Sequence, residues 1–302
     1  MSDTHIEDRK CGVVAVVGAP NAGKSTLVNT IVGQKVAIVS PKVQTTRARL
    51  MGIAVEGDTQ IILVDTPGIF APKKRLERAM VNAAWDGTSG ADIVLLLVDT
   101  KRGMTDDVET ILETLEHRRE PKMLALTKID LTSRERLLPL AQKLNDRIDF
   151  ADTFMIAAPK GDGIADIKAT LAAAMPKEPW HFPDDQVSNV TTRLLAAEIT
   201  REKLFLQLHQ ELPYASMVET ESWAEGDNGI SIHQTIFVER DSQKGIVLGK
   251  GGSRIKSIGS DSRAELEDLL GSKVHLFLTV KVKADWSESR DSYDMMGLDW
   301  AK

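Results

Sequence analysis

The chain has 302 residues, 42% of them hydrophobic and 27% charged, with a formal net charge of −6. This length exceeds one ordinary core and points to two domains, and the acidic balance excludes a protein that coats nucleic acid by bulk positive charge, so any such site must be a local basic patch. Cys11 is the single cysteine, which excludes a disulfide framework or a cysteine-based metal site and fits a reducing cytosol. The start, "MSDTHIEDRKCGVV", sets acids ahead of its apolar run and lacks the long apolar stretch of a secretory signal. The longest aliphatic runs, at 61–64 and 93–98, are far too short to span a membrane and read as buried strands.

From residue 12 to about 176, short aliphatic runs ("GVVAVVGA", "TQIILVD", "DIVLLLVD", "KMLALTK", "DTFMIA") alternate with longer stretches of helical period. Near-continuous apolar strands alternating with helices predict a parallel sheet covered on both faces. "MPKEPWHFPDDQ", with three prolines between 175 and 186, reads as the linker. The segment "TTRLLAAEITREKLFLQLHQEL" reads as an amphipathic helix with Leu194, Ile199, Leu204 and Leu208 on one face. Alternating runs at "ASMVETESW" and "GISIHQTIFVER", a glycine loop, a helix over about 253–270 and the strand "KVHLFLTVKVKADW" complete the chain. The boundaries are then 1–177, a linker at 178–190, and 191–302.

"GAPNAGKS" has the form G-x-x-x-x-G-K-S between an apolar strand and a helical stretch, the context a phosphate loop requires. Gly18, Ala19, Pro20, Asn21, Ala22, Gly23, Lys24, Ser25 and Thr26 form this nucleotide-binding segment. The glycines admit phosphate oxygens to the backbone amides and the helix N-terminus. Lys24 reaches the β- and γ-phosphates, and the Ser25 hydroxyl binds Mg²⁺. "VDTPG" puts Asp65 at the carboxyl end of a strand, where it holds Mg²⁺ through water, and lets Gly68 offer its N–H to the γ-phosphate. In "VQTTR" (43–47) a mobile threonine, taken as Thr45, completes the metal shell. Lys24, Thr45 and Gly68 are the expected catalytic groups. "TKID" supplies Asp130, whose carboxylate accepts both N1–H and the 2-amino group of guanine; adenine would leave it unpaired. The Lys128 stem covers the base.

In this order, "GAPNAGKST", "QTTR", "DTPG" and "TKID", followed by "GIVLGKGGSRIK", closely resemble the Era family of bacterial GTPases over essentially the whole chain. The resemblance implies an α/β P-loop NTPase, a Ras-like G domain, followed by an α+β type II KH domain. It also implies a monomer that binds the 3′ region of 16S rRNA and helps the small (30S) ribosomal subunit to mature. Its expected location is the cytoplasm, with peripheral association at the inner membrane. Two positions depart from the family pattern. Thr127 stands where the base motif begins with Asn, and Ala157–Ala158 stand where the next motif reads Ser-Ala. The Ala158 N–H still meets guanine O6, but the hydroxyl that steadies Asp130 is absent, so guanine preference with weaker binding is expected. After "DTPG" comes Ile69 in place of a water-orienting glutamine, which predicts slow hydrolysis. Asn21 occupies the position at which potassium-activated relatives hold K⁺ beside the phosphates, and it also suits a turn sterically.

"GIVLGKGGSRIK" is no second nucleotide loop. Three residues, not four, separate Gly245 from Gly249, and Lys250 is followed by Gly251 rather than Ser or Thr. The spacing that fits is G-x-x-G over Gly249, Lys250, Gly251 and Gly252, which in a KH module clamps a single-stranded backbone. Lys244, Lys250, Arg254 and Lys256 supply charge, and no acid falls between Ser242 and Ser260. Aromatic residues are 5% of the chain, which disfavours a base-stacking platform of the RRM type. Two other readings use the same residues: an RNA-binding scaffold with a structural nucleotide site, and a membrane-directed GTPase whose KH-like part is a protein adaptor.

Overall fold

Strand β1 (Lys10–Gly18) runs straight into the phosphate loop and helix α1 (Lys24–Val32). The computed structural model describes residues 9–301 other than 43, 44, 48, 209–211 and 285. By its contacts the chain forms two units. The first runs to Ala37, resumes over Thr46–Asn189 and takes in the last residues from Gly297; the second comprises Ile38–Thr45 and Val190–Met296.

In the first unit, β2 (Leu50–Glu56), β3 (Thr59–Asp65), α2 (Arg75–Asp86), β4 (Ile93–Asp99), α3 (Asp106–Glu116), β5 (Lys122–Thr127), α4 (Leu137–Asn145), β6 (Asp152–Ile156) and α5 (Ile164–Ala174) follow. The six strands form one sheet in the order β2-β3-β1-β4-β5-β6. All pairs are parallel except β2–β3. The period-2 alternation of strands divides β4 between two cores. Ile93, Leu95 and Leu97 join Val14, Val16, Leu27 and Leu171 on one face. Val94, Leu96 and Val98 join Ile111, Leu115, Leu126 and Leu144 on the other. This double cover is why β3 and β4 read as continuous apolar runs. Because β1 lies between β3 and β4, the crevice at their carboxyl ends is the switch point where such sheets place ligands. Strand β2, which sequence pattern alone does not set apart, is a short antiparallel edge.

The proline-rich stretch is fastened to this unit. Gln60, fully buried in β3, uses Oε1 to accept from the His181 and Phe182 amides at 3.0 and 3.1 Å, and its Nε2 donates to Phe182 O at 2.9 Å. Trp180 Nε1 donates to Asp58 O at 3.1 Å, and the Ile53 amide donates to Val187 O at 2.8 Å. A buried amide side chain must find partners, and here it finds them in the segment 178–190 that the prolines mark as a linker.

The second unit contains α6 (Thr192–Gln207), β7 (Ser216–Gly226), β8 (Gly229–Val238), α7 (Asp241–Leu248), α8 (Ser253–Leu270), β9 (Val274–Val282) and α9 (Arg290–Met296). Its sheet has the order β7-β8-β9, antiparallel then parallel. Helices α6 and α8 cover one face, burying Ala196, Ile199, Leu204, Ile232, Ile236, Ile258 and Leu266. Leu194 corrects the predicted helix face: it is 44% exposed, while Ala196 and Ala197 are buried. Residues 209–211 of the predicted helix lie outside the described residues, as do 1–8 and Asp285. Among the described residues, no helix is long and apolar enough to cross a membrane.

The β7–β8 turn depends on Gly229, whose φ of 116° and whose approach to Lys273 O leave a Cβ only 2.3 Å from that oxygen. Strain of this kind costs about 2 kcal/mol. Gly229→Ala is therefore expected to speed amide exchange in β8 and β9 by about thirtyfold. Unchanged exchange there would refute the constraint.

Candidate functional site

The phosphate loop closes on itself. Asn21 takes the left-handed φ of 64° and Gly23, capping α1, takes 95°. Lys24 is 6% exposed, and its Nζ donates to Gly18 O at 3.0 Å and Ala19 O at 3.1 Å. Burial pushes the Lys24 amine down to about 8, with the Asp65 carboxylate pulling the other way. Gly68 lies against the loop, where a Cβ would stand 2.9 Å from Pro20 Cα. The Ile69 amide donates to Gly18 O at 3.1 Å, and the Ile69 side chain is buried in the second core face. Ile69 therefore packs rather than facing the phosphate side.

Asp65 ends β3 beneath this loop and is fully buried. Its Oδ2 accepts from Ser25 Oγ at 2.6 Å and from Thr46 Oγ1 at 3.4 Å, and the two hydroxyls are 2.9 Å apart. Burial pushes the carboxyl up, opposed by the Ser25 hydroxyl, the Lys24 charge and the Thr46 hydroxyl. Asp65 Oδ1 is buried without a hydrogen-bond partner, a costly arrangement unless a cation meets it. A carboxylate with two hydroxyls is the hard-oxygen set that Mg²⁺ takes. The threonine brought here is Thr46. The expected Thr45 instead bonds Ser40 Oγ at 2.8 Å and donates to Lys42 O at 2.9 Å. Val43 and Gln44 of the same motif lie outside the described residues. The pattern "QTTR" offers two adjacent hydroxyls, and only three-dimensional register tells them apart.

The far end of the loop meets β5. Thr127 Oγ1 donates to Ala22 O at 2.7 Å, with Val98 O at 3.3 Å. Lys128, at a left-handed φ of 57°, reaches back to Asn21 O at 2.6 Å and Asp99 Oδ2 at 2.7 Å. Asp130 sits in the short 3-10 turn Ile129–Leu131, with Lys160 Nζ 3.2 Å from its Oδ2. Ala157 is fully buried, its amide donating to Asp162 O at 3.1 Å, and Ala158 opens the turn Ala158–Lys160. Asp99, Lys160 and Arg102, which donates to Pro20 O at 3.1 Å, were missed at sequence level. The signal for Asp99 is its place at the end of β4, between two motif-bearing strands.

In the second unit the glycine loop links α7 to α8. Gly249, Gly251 and Gly252 take φ of 70°, 61° and 76°, which side chains rarely adopt. A Cβ at Gly249 would also stand 2.8 Å from Arg254 Cβ. Arg254 donates to Ile246 O at 2.8 Å, tying the two helices together. Lys250 and Lys256 are exposed, Lys244 and Arg254 half-buried, and Ile246 is 48% exposed. The structure thus sets a rigid glycine turn, basic side chains and an apolar residue in one place.

Residues 13–128 match the family model described as a 50S ribosome-binding GTPase, and residues 211–287 match the KH domain model. The fold and sites therefore define a P-loop GTPase domain followed by a KH domain. The GTPase Era of Afipia carboxidovorans is 56% identical over 303 residues, covering 100% of this chain and 98% of its own. That of Bradyrhizobium diazoefficiens is 56% identical over 294 residues, covering 97% and 96%. Among solved structures, Era in complex with MgGDPNP and nucleotides 1506–1542 of 16S ribosomal RNA is similar at a TM-score of 0.91 and 36% identity, covering 97% of this chain and 100% of that one. An Aquifex aeolicus Era variant bound to GDP·AlF4⁻ gives 0.90 and 36% over the same shares. The chain belongs to the Era family of GTPases.

The Thr127 hydroxyl ties β5 to the phosphate loop. Thr127→Val keeps the shape and removes both bonds, so stability is expected to fall by about 1 kcal/mol, or ~2–4 °C in Tm. An unchanged Tm would show that the hydroxyl tethers nothing.

Proposed function

We propose that this chain is a GTP-switched RNA-binding enzyme that holds the 3′ region of 16S rRNA during maturation of the small ribosomal subunit. The observation that carries the nucleotide half is the buried, unpartnered Asp65 Oδ1 beside Ser25 and Thr46. Ser25, Thr46 and Asp65 would hold Mg²⁺ there, and the ion would supply charge neutralisation at the phosphate oxygens. To do so, the Ser25 and Thr46 hydroxyls would give up their hydrogen bonds to Asp65 Oδ2, and Asp65 would supply the carboxylate. The Lys24 amine leaves the carbonyls of Gly18 and Ala19 for the phosphates, whose charge favours its protonated form. The amides of the Gly18–Gly23 loop and the α1 N-terminus hold the remaining oxygens, and the Gly68 N–H meets the γ-phosphate.

At the base, Asp130 accepts the two guanine donors after yielding its contact with Lys160, the Lys128 stem lies along the ring, and the Ala158 N–H meets O6. Thr127 already uses its hydroxyl on Ala22 O, and Ala157 has none to offer Asp130, which supports guanine preference at reduced affinity. With Ile69 in the core, the position after Gly68 offers no side chain to orient the attacking water. Turnover then rests on Lys24, the cation and backbone donors, and is slow.

For the RNA half, the loop Gly249–Gly252 brings a backbone close, and Lys244, Lys250, Arg254 and Lys256 neutralise its phosphates. The similar Era structure that holds 16S nucleotides 1506–1542 supports the choice of RNA. The model whose description names the 50S subunit matches only within the GTPase domain. On this reading the protein works in the cytoplasm as a monomer, and any inner-membrane association is peripheral.

Lys24→Ala is expected to abolish multiple-turnover GTP hydrolysis, and a Gly-Asp-Asp-Gly loop (Lys250→Asp with Gly251→Asp) to abolish cross-linking to the 16S 3′ end in total cellular RNA. Hydrolysis surviving the first change would leave the nucleotide site without its assigned role, and RNA capture surviving the second would remove the KH loop from the interface. If Asn21 also holds K⁺, hydrolysis runs faster in K⁺ than in Na⁺; equal rates would leave this asparagine explained by its left-handed turn alone.

A further inference from the structure

The face of the second sheet turned away from α6 and α8 carries an aromatic stack that the GTPase and KH loop reading does not use. His233 of β8 and Phe277 of β9 are register partners. Their rings lie 4.5 Å apart at 20°, stacked face to face. Phe277 is 51% exposed, and His233 is exposed as well. Their strand neighbours Ile232 and Leu276 point the other way, into the core under the helices.

Three features separate this pair from a stray surface aromatic. First, the stacking axis runs across the strands, because the rings belong to register partners on adjacent strands. Strand β9 is the sheet edge, so the outer face of Phe277 looks past the last strand, and another flat ring can continue the stack. Second, the stretch from Gly271 to Ala284 contains Lys273, His275, Lys281 and Lys283 and no acid, with Lys281 paired across the sheet to Glu221 of β7 at 2.8 Å and Lys273 and Lys283 flanking β9. This is a second acid-free basic stretch in a chain of net charge −6. Third, β9 belongs to the KH module and packs its inward residues on α8, which follows the glycine loop: a Cβ at Gly259 would stand 3.4 Å from Leu278 Cδ1. A cross-strand ring pair also steadies β8 against β9, but that role needs neither an open ring face nor flanking lysines.

We propose that Phe277, backed by His233, is a base-stacking site: an unpaired nucleobase of bound RNA lies on its outer face, with the phosphates beside it neutralised by Lys273 and Lys283, which flank β9. Every base has a flat π-face, so the site takes any base and adds affinity without reading sequence. The 5% aromatic content hides this arrangement, because a single stacked pair at a sheet edge suffices. The inference rests on the RNA-binding reading of the KH loop.

The test measures binding of a single-stranded 16S 3′-terminal segment carrying 2-aminopurine at successive positions. Phe277→Leu keeps an apolar side chain but no ring, and is expected to weaken binding about tenfold. The dependence on salt should stay unchanged, because no charge is lost. The fluorescence quenching at one position should vanish in Phe277→Leu and persist in Phe277→Trp. His233→Ala is expected to weaken binding less. The Gly-Asp-Asp-Gly loop variant is measured alongside. If it loses binding while Phe277→Leu binds and quenches like the native chain, the stacking site is wrong and the KH reading stands. If Phe277→Leu weakens binding but Phe277→Trp fails to restore it, the ring is not the binding element and the inference fails. If the native chain and the loop variant bind the RNA equally, the underlying reading fails and the stacking site falls with it.

Discussion

A buried amine and a buried carboxylate at the carboxyl ends of β1 and β3 govern the first unit. Lys24 and Asp65 are both removed from water, and burial drives each toward its uncharged form. Two loop carbonyls and two hydroxyls satisfy them in part, but Asp65 Oδ1 stays without a partner. A folded chain tolerates such an arrangement when a ligand completes it, and a phosphate with a divalent cation completes both ends at once. The parallel sheet exists in this form to deliver β1, β3, β4 and β5 to one rim. From that rim β1 leads into the phosphate loop, β3 supplies Asp65, and β4 and β5 supply Asp99 and Lys128, which pair at 2.7 Å.

The two glycine loops meet phosphate under opposite regimes of burial. In the first, Lys24 is 6% exposed and sits among backbone carbonyls and amides, a closed cradle that fits one ligand of fixed shape. In the second, Lys250 stands in solvent on a turn of three positive-φ glycines, and the backbone, not a pocket, defines the surface. A chain of phosphates with variable bases suits that geometry, because it can be gripped anywhere along its length. Similar composition therefore serves two kinds of recognition, set apart by spacing and by what surrounds the lysine.

The phosphate loop, Asp65 and the base motif were legible because each is a short run fixed to a strand end, where local order predicts place. The helix–strand–strand–helix–helix–strand order of the second unit was legible from periodicity. What escaped depends on distant partners. Strand β2 gains its identity only by pairing with β3. The proline-rich stretch reads as a linker until Gln60 is seen bonding to it. Thr45 and Thr46 are equivalent in sequence, and only the fold decides which hydroxyl faces Asp65. Leu194 fits a helical stripe by spacing, yet small alanines bring α6 close to the sheet and leave it outside. Asp99 carries no motif of its own, and the His233–Phe277 stack arises from register between strands far apart in sequence.

The most direct test of the central claim is the dissociation rate of a non-hydrolysable GTP analogue, with and without Mg²⁺ chelation, in the native chain and in Asp65→Asn. The account predicts that chelation speeds release at least about a hundredfold in the native chain, the strength a metal bridge supplies, and has little effect in Asp65→Asn, which already releases fast. Equal sensitivity to chelation in both would show that the buried Asp65 oxygen does not hold the cation.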